Sequence, residues 1–166
     1  MKLWLVRHAK SDWASGAGTD FERPLNARGR RDGPRMAQWL AGQDHPATWL
    51  WTSDAVRASA TAVFVAEGFA AAAPELAPDH RLYEASPEDL LAVIRETPQD
   101  RHSVALVAHN PGLTQLVNLL EGRAVTDNLP TFGVARFEVP GDWADLTFGA
   151  ARLEIMMTPK RLETPE

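Results

Sequence analysis

Short apolar runs alternate with longer amphipathic ones along this chain, and that rhythm constrains the fold more than any other feature. Lys2 to Val6 is almost continuously apolar, the pattern of a strand buried on both faces of a parallel sheet. Residues 48–53 (TWLWTS), 80–86 (HRLYEAS) and 103–109 (SVALVAH) read as three further strands. A helical pattern follows each strand. The first begins with Asn26 as N-cap, and the Gly33-Pro34 pair is expected to kink or delay it. The second is expected to be capped by Ser53 or Asp54, with Gly68 near its end. The third has Ser86 as cap, Pro87 at the first helical position and Asp89 three residues after the cap. Gly122 ends the fourth, and residues 134–140 and 149–158 then alternate like an antiparallel pair. The expected architecture is α/β, a three-layer α/β/α sandwich whose central sheet is mainly parallel with an antiparallel edge. One domain is expected over residues 1–158, followed by a polar, frayed tail over 159–166.

Composition removes several functional classes. At 166 residues and 45% hydrophobic content, the chain can fill a core without staples. It has no cysteine, so disulfides, thiolate metal sites and a thiolate nucleophile are excluded. A formal net charge of −5 argues against a general nucleic-acid binder. No basic and apolar leader pattern opens the chain, and no apolar stretch approaches the roughly 20 residues of a membrane span. The expectation is a cytoplasmic protein with no membrane association.

Ligands of open α/β sheets bind beyond the carboxyl ends of the strands. Arg7 and His8 follow the first strand, Ser53 and Arg57 the second, Glu84 the third and His109 the fourth. Each has an ordinary structural reading, as a strand-end histidine, a surface arginine, a turn residue or a loop carboxylate. Their joint placement on one sheet edge favours a site. Arg57 falls in the first turn of its helix, where a cation opposes the helix dipole unless an anion is bound there. Two arginines and a histidine at a helix start suit a phosphate group. No phosphate-binding G-x-x-x-x-G-K-[ST] loop and no H-E-x-x-H zinc motif occurs, and flanking arginines would repel a dication. With no cysteine, the candidate nucleophile for phosphoryl transfer is a histidine. No metal and no cofactor is expected.

The segments VRHAKSDW, RPLNARGRRDGPRMAQWL, TSDAVRASATA, LYEAS and LVAHNPGL occur in an order that resembles the histidine phosphatase superfamily. This is the phosphoglycerate mutase-like group, and the chain is most similar to its small SixA-like phosphohistidine phosphatases. The resemblance covers roughly residues 2–120 and implies the phosphoglycerate mutase-like fold. It implies that His8 accepts the phosphoryl group and that Arg7, Arg57 and His109 form the phosphate pocket. Glu84 lies where many members place a proton donor. Ala9 stands where the family motif has glycine, as it does in many small members. Trp13 stands near a position where mutase-type members carry an asparagine, which argues against glycerate or sugar phosphates. Trp13 and Ser53 are further candidates for substrate contact. Arg7 is expected to hold His8 neutral by like-charge repulsion. Arg23, Arg28, Arg30, Arg31 and Arg35 read mainly as a solvated face.

The expected function is a metal-independent phosphatase with a phosphohistidine intermediate on His8, acting on phosphohistidine of a partner protein. Two alternatives stay open: a small-molecule phosphomonoesterase with the same core, and a non-catalytic module that recognises phosphorylated partners.

Overall fold

The first strand, β1 (Lys2–Arg7), divides its side chains between two cores. Leu3 and Leu5 pack into one cluster, Trp4 and Val6 into the other. That period-two division requires layers on both sides of the strand. In a computed structural model, which describes residues 1–163, those layers are present. Helices α1 (Ala27–Ala41) and α2 (Val56–Gly68) cover the Trp4 side through Met36, Leu40, Ala58, Ala62 and Val65. Helices α3 (Pro87–Ile94) and α4 (Gly112–Glu121) cover the Leu3 side through Leu90, Leu91, Leu113 and Leu116. The result is the three-layer sandwich.

The remaining strands are β2 (Trp49–Thr52), β3 (Glu75–Pro78), β4 (Ser103–Ala108), β5 (Val134–Glu138) and β6 (Arg152–Met157). They form one six-stranded sheet in the order β3-β2-β4-β1-β5-β6. The four central and leading strands pair in parallel, while β5 and β6 are antiparallel, as the alternating pattern predicts. Register is what matters for the site. Arg7 pairs opposite Ala108, and Thr52 opposite Val107. The His8 amide donates to the Ala108 carbonyl (3.1 Å) and the Ser53 amide to the Val107 carbonyl (3.0 Å). Residues 8, 53 and 109 therefore leave the sheet at one height.

Four expectations need correction. The third strand is Glu75–Pro78, and His80–Leu82 is a turn of 3-10 helix instead. Short, proline-ended Glu75–Pro78 (ELAP) has a weak strand pattern, but as an edge strand it needs only one partner and tolerates proline. Helix α2 starts at Val56 with Ala55 in the cap position and no side-chain cap. Ser53 and Asp54 are engaged elsewhere. Helix α1 is not delayed by Gly33-Pro34: it begins directly after Asn26, whose side chain caps Gly29, and carries Pro34 within it. Finally, Pro159–Glu163 is a short helix, α5, and Arg35 pairs with Glu163 at 2.7 Å. The rest of the expected tail lies outside the described residues.

Candidate active site

Four expected residues, Arg7, His8, Arg57 and His109, line a single pocket of about 310 Å³ at the carboxyl edge of the sheet. Their backbone supports are specific. Asn26 donates its amide to the Lys10 carbonyl, and Gly29 of α1 lies so close that a Cβ there would meet that oxygen at 2.2 Å. The segment after His8 is thereby pressed against the helix start. Thr61 bridges the same segment to α2, accepting from the Ala9 amide (2.9 Å) and donating to the Arg57 carbonyl (2.8 Å).

The His8 ring is buried, and its Nδ1 lies 2.8 Å from the Ala9 carbonyl. A carbonyl only accepts, so Nδ1 carries the proton and Nε2 holds the free lone pair. Arg57 Nε points at that Nε2 from 3.4 Å. The His109 ring lies 5.1 Å from the His8 ring, centroid to centroid. His109 Nε2 is 2.7 Å from the Ser53 hydroxyl. Its Nδ1, like Arg7 Nε, is buried with no hydrogen-bond partner. Buried polar atoms are rarely left alone, and these two line one pocket.

Burial pushes the His8 imidazolium down to about 3, with His109, Arg57 and Arg7 adding smaller like-charge repulsions. Arg7 is therefore not the main cause of the neutral ring: desolvation is. Burial likewise lowers His109 to about 4, with Arg57 as the next contribution. Both histidines fold as neutral rings, whereas in the unfolded chain they titrate near 6.5. Below that value the unfolded state binds more protons than the folded one, so stability is complete above pH 6.5 and falls with acidification. Each ring is expected to withdraw on the order of 2 kcal/mol between pH 7 and pH 5. Urea midpoints at the two pH values check this. His109→Gln should reduce the acid sensitivity, and an unchanged pH slope in that variant would refute the assignment.

The structure separates the other expected residues. Glu84 lines the pocket but is exposed at its rim, on a residue with a left-handed backbone (φ 53°). It arrives after the 3-10 turn rather than directly from β3. Gly112 at the start of α4 packs this loop closely, since a Cβ there would meet the Ala85 carbonyl at 2.1 Å. Trp13 lines the mouth, 78% exposed, with the Arg23 guanidinium 3.6 Å from its ring centroid. Ser53 is fully buried behind the wall: it holds His109 and contributes no lining surface.

Arg23 leaves the solvated arginine face altogether. It is 7% exposed, lines the pocket and donates to Ser11 and Asp20. Arg28 and Arg35 do remain on the surface side, paired with Asp32 and Glu163. Reading the residues missed Asp20 and Tyr83. Asp20 accepts from Arg57 (2.9 Å), Arg23 (2.8 Å) and the Tyr83 hydroxyl (2.6 Å). Hydrogen bonds from Tyr83 and Arg23 hold its carboxyl far below the usual carboxylate range. The unusual length of the loop between β1 and α1 was the available signal. Nothing in its composition singles out position 20.

Comparison with known proteins agrees with this geometry. The sequence profile of the histidine phosphatase superfamily, branch 1, matches residues 3–91. An uncharacterized Mycobacterium tuberculosis protein, Rv1276c, is 29% identical over 164 residues, covering 93% of this chain and all of its own length. The Agrobacterium tumefaciens protein assigned as the phosphohistidine phosphatase SixA superposes with a TM-score of 0.81 at 25% identity, over 95% of this chain and 97% of its own. The protein histidine phosphatase SixA in complex with tungstate superposes at 0.79 and 23% identity, over 98% and 99%. With the profile spanning more than half its length and this fold around a paired-histidine pocket, the chain belongs to the histidine phosphatase superfamily and is a SixA-like phosphatase.

Proposed function

We propose that the protein is a metal-independent phosphatase that transfers a phosphoryl group to His8 Nε2 and acts on phosphohistidine of a partner protein. The observation that carries this reading is the His8 ring: neutral, proton fixed on Nδ1, and the Nε2 lone pair facing the pocket's Arg57 guanidinium across a long 3.4 Å contact. In the first step the Nε2 lone pair attacks phosphorus in line, and the bond to the leaving atom breaks with its electron pair. Charge on the phosphoryl oxygens is met by Arg57, by Arg7 Nε and by His109. The Ser53 hydroxyl accepts from the Ala55 amide (3.3 Å), which turns its own proton toward His109 Nε2, and in that tautomer His109 keeps the Nδ1 proton for the phosphoryl group. Water then attacks the phosphohistidine, the P–N bond breaks, and His8 recovers its lone pair.

The pocket opens between exposed Trp13 and exposed Glu84. Such a rim suits a phosphoryl group presented on a macromolecular surface. A phosphohistidine leaves as an imidazole, which needs little help from an acid. An alkyl phosphate leaves as an alkoxide and needs a positioned donor, here Glu84, worth about 10²–10⁴-fold where required.

Acid-quench trapping of the phosphoenzyme tests both points. Phosphohistidine protein, p-nitrophenyl phosphate and an alkyl phosphate serve as donors, with the wild-type chain and Glu84→Gln. A phosphoenzyme formed fastest from phosphohistidine protein is expected. Glu84→Gln should slow the alkyl phosphate most and phosphohistidine least. Equal losses on all three donors would remove Glu84 as leaving-group acid. Preference for the small esters would move the assignment to a phosphomonoesterase, and no phosphoenzyme from any donor would leave a recognition module.

A further inference from the structure

Arg57 has all three of its nitrogens engaged, with one N–H left on each terminal nitrogen. Its Nη1 donates to the Asp20 carbonyl (2.7 Å), its Nη2 to Asp20 Oδ2 (2.9 Å), and its Nε faces His8 Nε2. Arg23 is committed to the same carboxylate through Nη2 (2.8 Å) and Nε (3.3 Å). Asp20 Oδ2 also takes the Tyr83 hydroxyl. A group approaching His8 Nε2 comes to the Nε side of Arg57, where the Asp20 carboxylate already sits on Nη2 and its negative charge opposes a second anion. The nearly buried guanidiniums of Arg57 and Arg23 (6% and 9% side-chain exposure) cannot stand without an anion.

We propose that Asp20 is a tethered counter-anion, holding Arg57 and Arg23 between turnovers and displaced from them by the arriving phosphoryl group. This rests on the phosphate-pocket reading above. The Asp20 side chain is 43% exposed, so its carboxylate has solvent to turn into. The preceding loop is exposed from Trp13 to Asp20, and Cβ atoms built on Gly16 and Gly18 would meet nothing within 4 Å. Rotation of the side chain alone frees the donors. The Arg57 bond to the Asp20 carbonyl does not involve the carboxylate and keeps the loop docked.

The device has a direction. Phosphate binding competes with an anion whose local concentration is fixed by the chain, so affinity is lowered for substrate and product alike. The same return of Asp20 to the arginines expels inorganic phosphate after hydrolysis. A fixed anchor would do the opposite: removing it would let Arg57 swing away and weaken anion binding.

Calorimetric titration of the full chain with tungstate separates the two. Wild type, Asp20→Asn and Asp20→Ala are compared, together with product inhibition by inorganic phosphate. The two variants differ in shape but share the loss of charge, so a packing defect in one is distinguished from loss of the anion. Tungstate binding about tenfold tighter is expected in the variants, each charge-assisted hydrogen bond being among the stronger kinds. Phosphate should inhibit them at correspondingly lower concentration. Tightening in either variant supports displacement, and unchanged or weaker binding in both overturns it. If tungstate binds neither wild type nor variants, the phosphate-pocket reading itself fails, and this inference with it.

Discussion

His8→Ala is expected to reduce turnover by at least about 10⁴-fold, the scale on which loss of a covalent nucleophile is felt. It should abolish any acid-quenched phosphoenzyme while leaving tungstate binding within a few-fold of wild type. Chemistry and binding separate here because, in the proposed mechanism, His8 supplies a lone pair, whereas the donors to the phosphoryl oxygens come from other residues. The ring is also a buried neutral group, so its removal relieves a desolvated imidazole instead of orphaning a charge. Burst kinetics on p-nitrophenyl phosphate and calorimetry with tungstate are the paired measurements. Turnover within 100-fold of wild type would show that phosphorus is attacked by something other than His8.

Arg57→Ala is expected to remove both properties together. Tungstate affinity should fall at least about 100-fold, since the guanidinium offers two donors along its edge and charge-assisted bonds contribute about 1.5–3 kcal/mol each. Turnover should fall further still, because Arg57 Nε lies beside His8 Nε2, the proposed nucleophile, where charge would develop. Arg57→Lys should recover little: an ammonium cannot span His8 and Asp20 with one plane of donors. Retention of wild-type affinity in Arg57→Ala would mean that Arg7 and Arg23 suffice.

How much of this was legible in the sequence depends on what encodes each part. The buried strands were legible because a two-sided environment leaves an uninterrupted apolar run, as in SVALVA of β4, where every residue is buried. The capping box of α3 was legible because Ser86, Pro87 and Asp89 encode it within four residues. Edge strand β3 was not, since one-sided pairing asks little of its side chains. His8, Arg57 and His109 could be placed together because strand ends and a helix start position them by topology alone. Asp20 and Arg23 could not. Their positions depend on how the loop between β1 and α1 folds back over α2, and the Ser11–Leu25 bridge that pinches its base is a tertiary contact with no local signature. Ser53 was legible in place and misread in role: being beside the pocket is not the same as facing it.

Strand β4 lies between β1 and β2, and it is the last of the three to be made. A ribosome that has released only the first hundred residues has produced His8 and Arg57 but not the strand that brings them to one height. In that interval β1 and β2 have no direct partner in each other, and loop closure over such distances is slow compared with local helix formation. His8 and Arg57 are thus expected to reach their final spacing once Ser103–Ala108 pairs with both β1 and β2, with His109 brought in by the same strand. The pocket is therefore expected to be completed only after β4 is made, and no N-terminal fragment ending before β4 should bind tungstate.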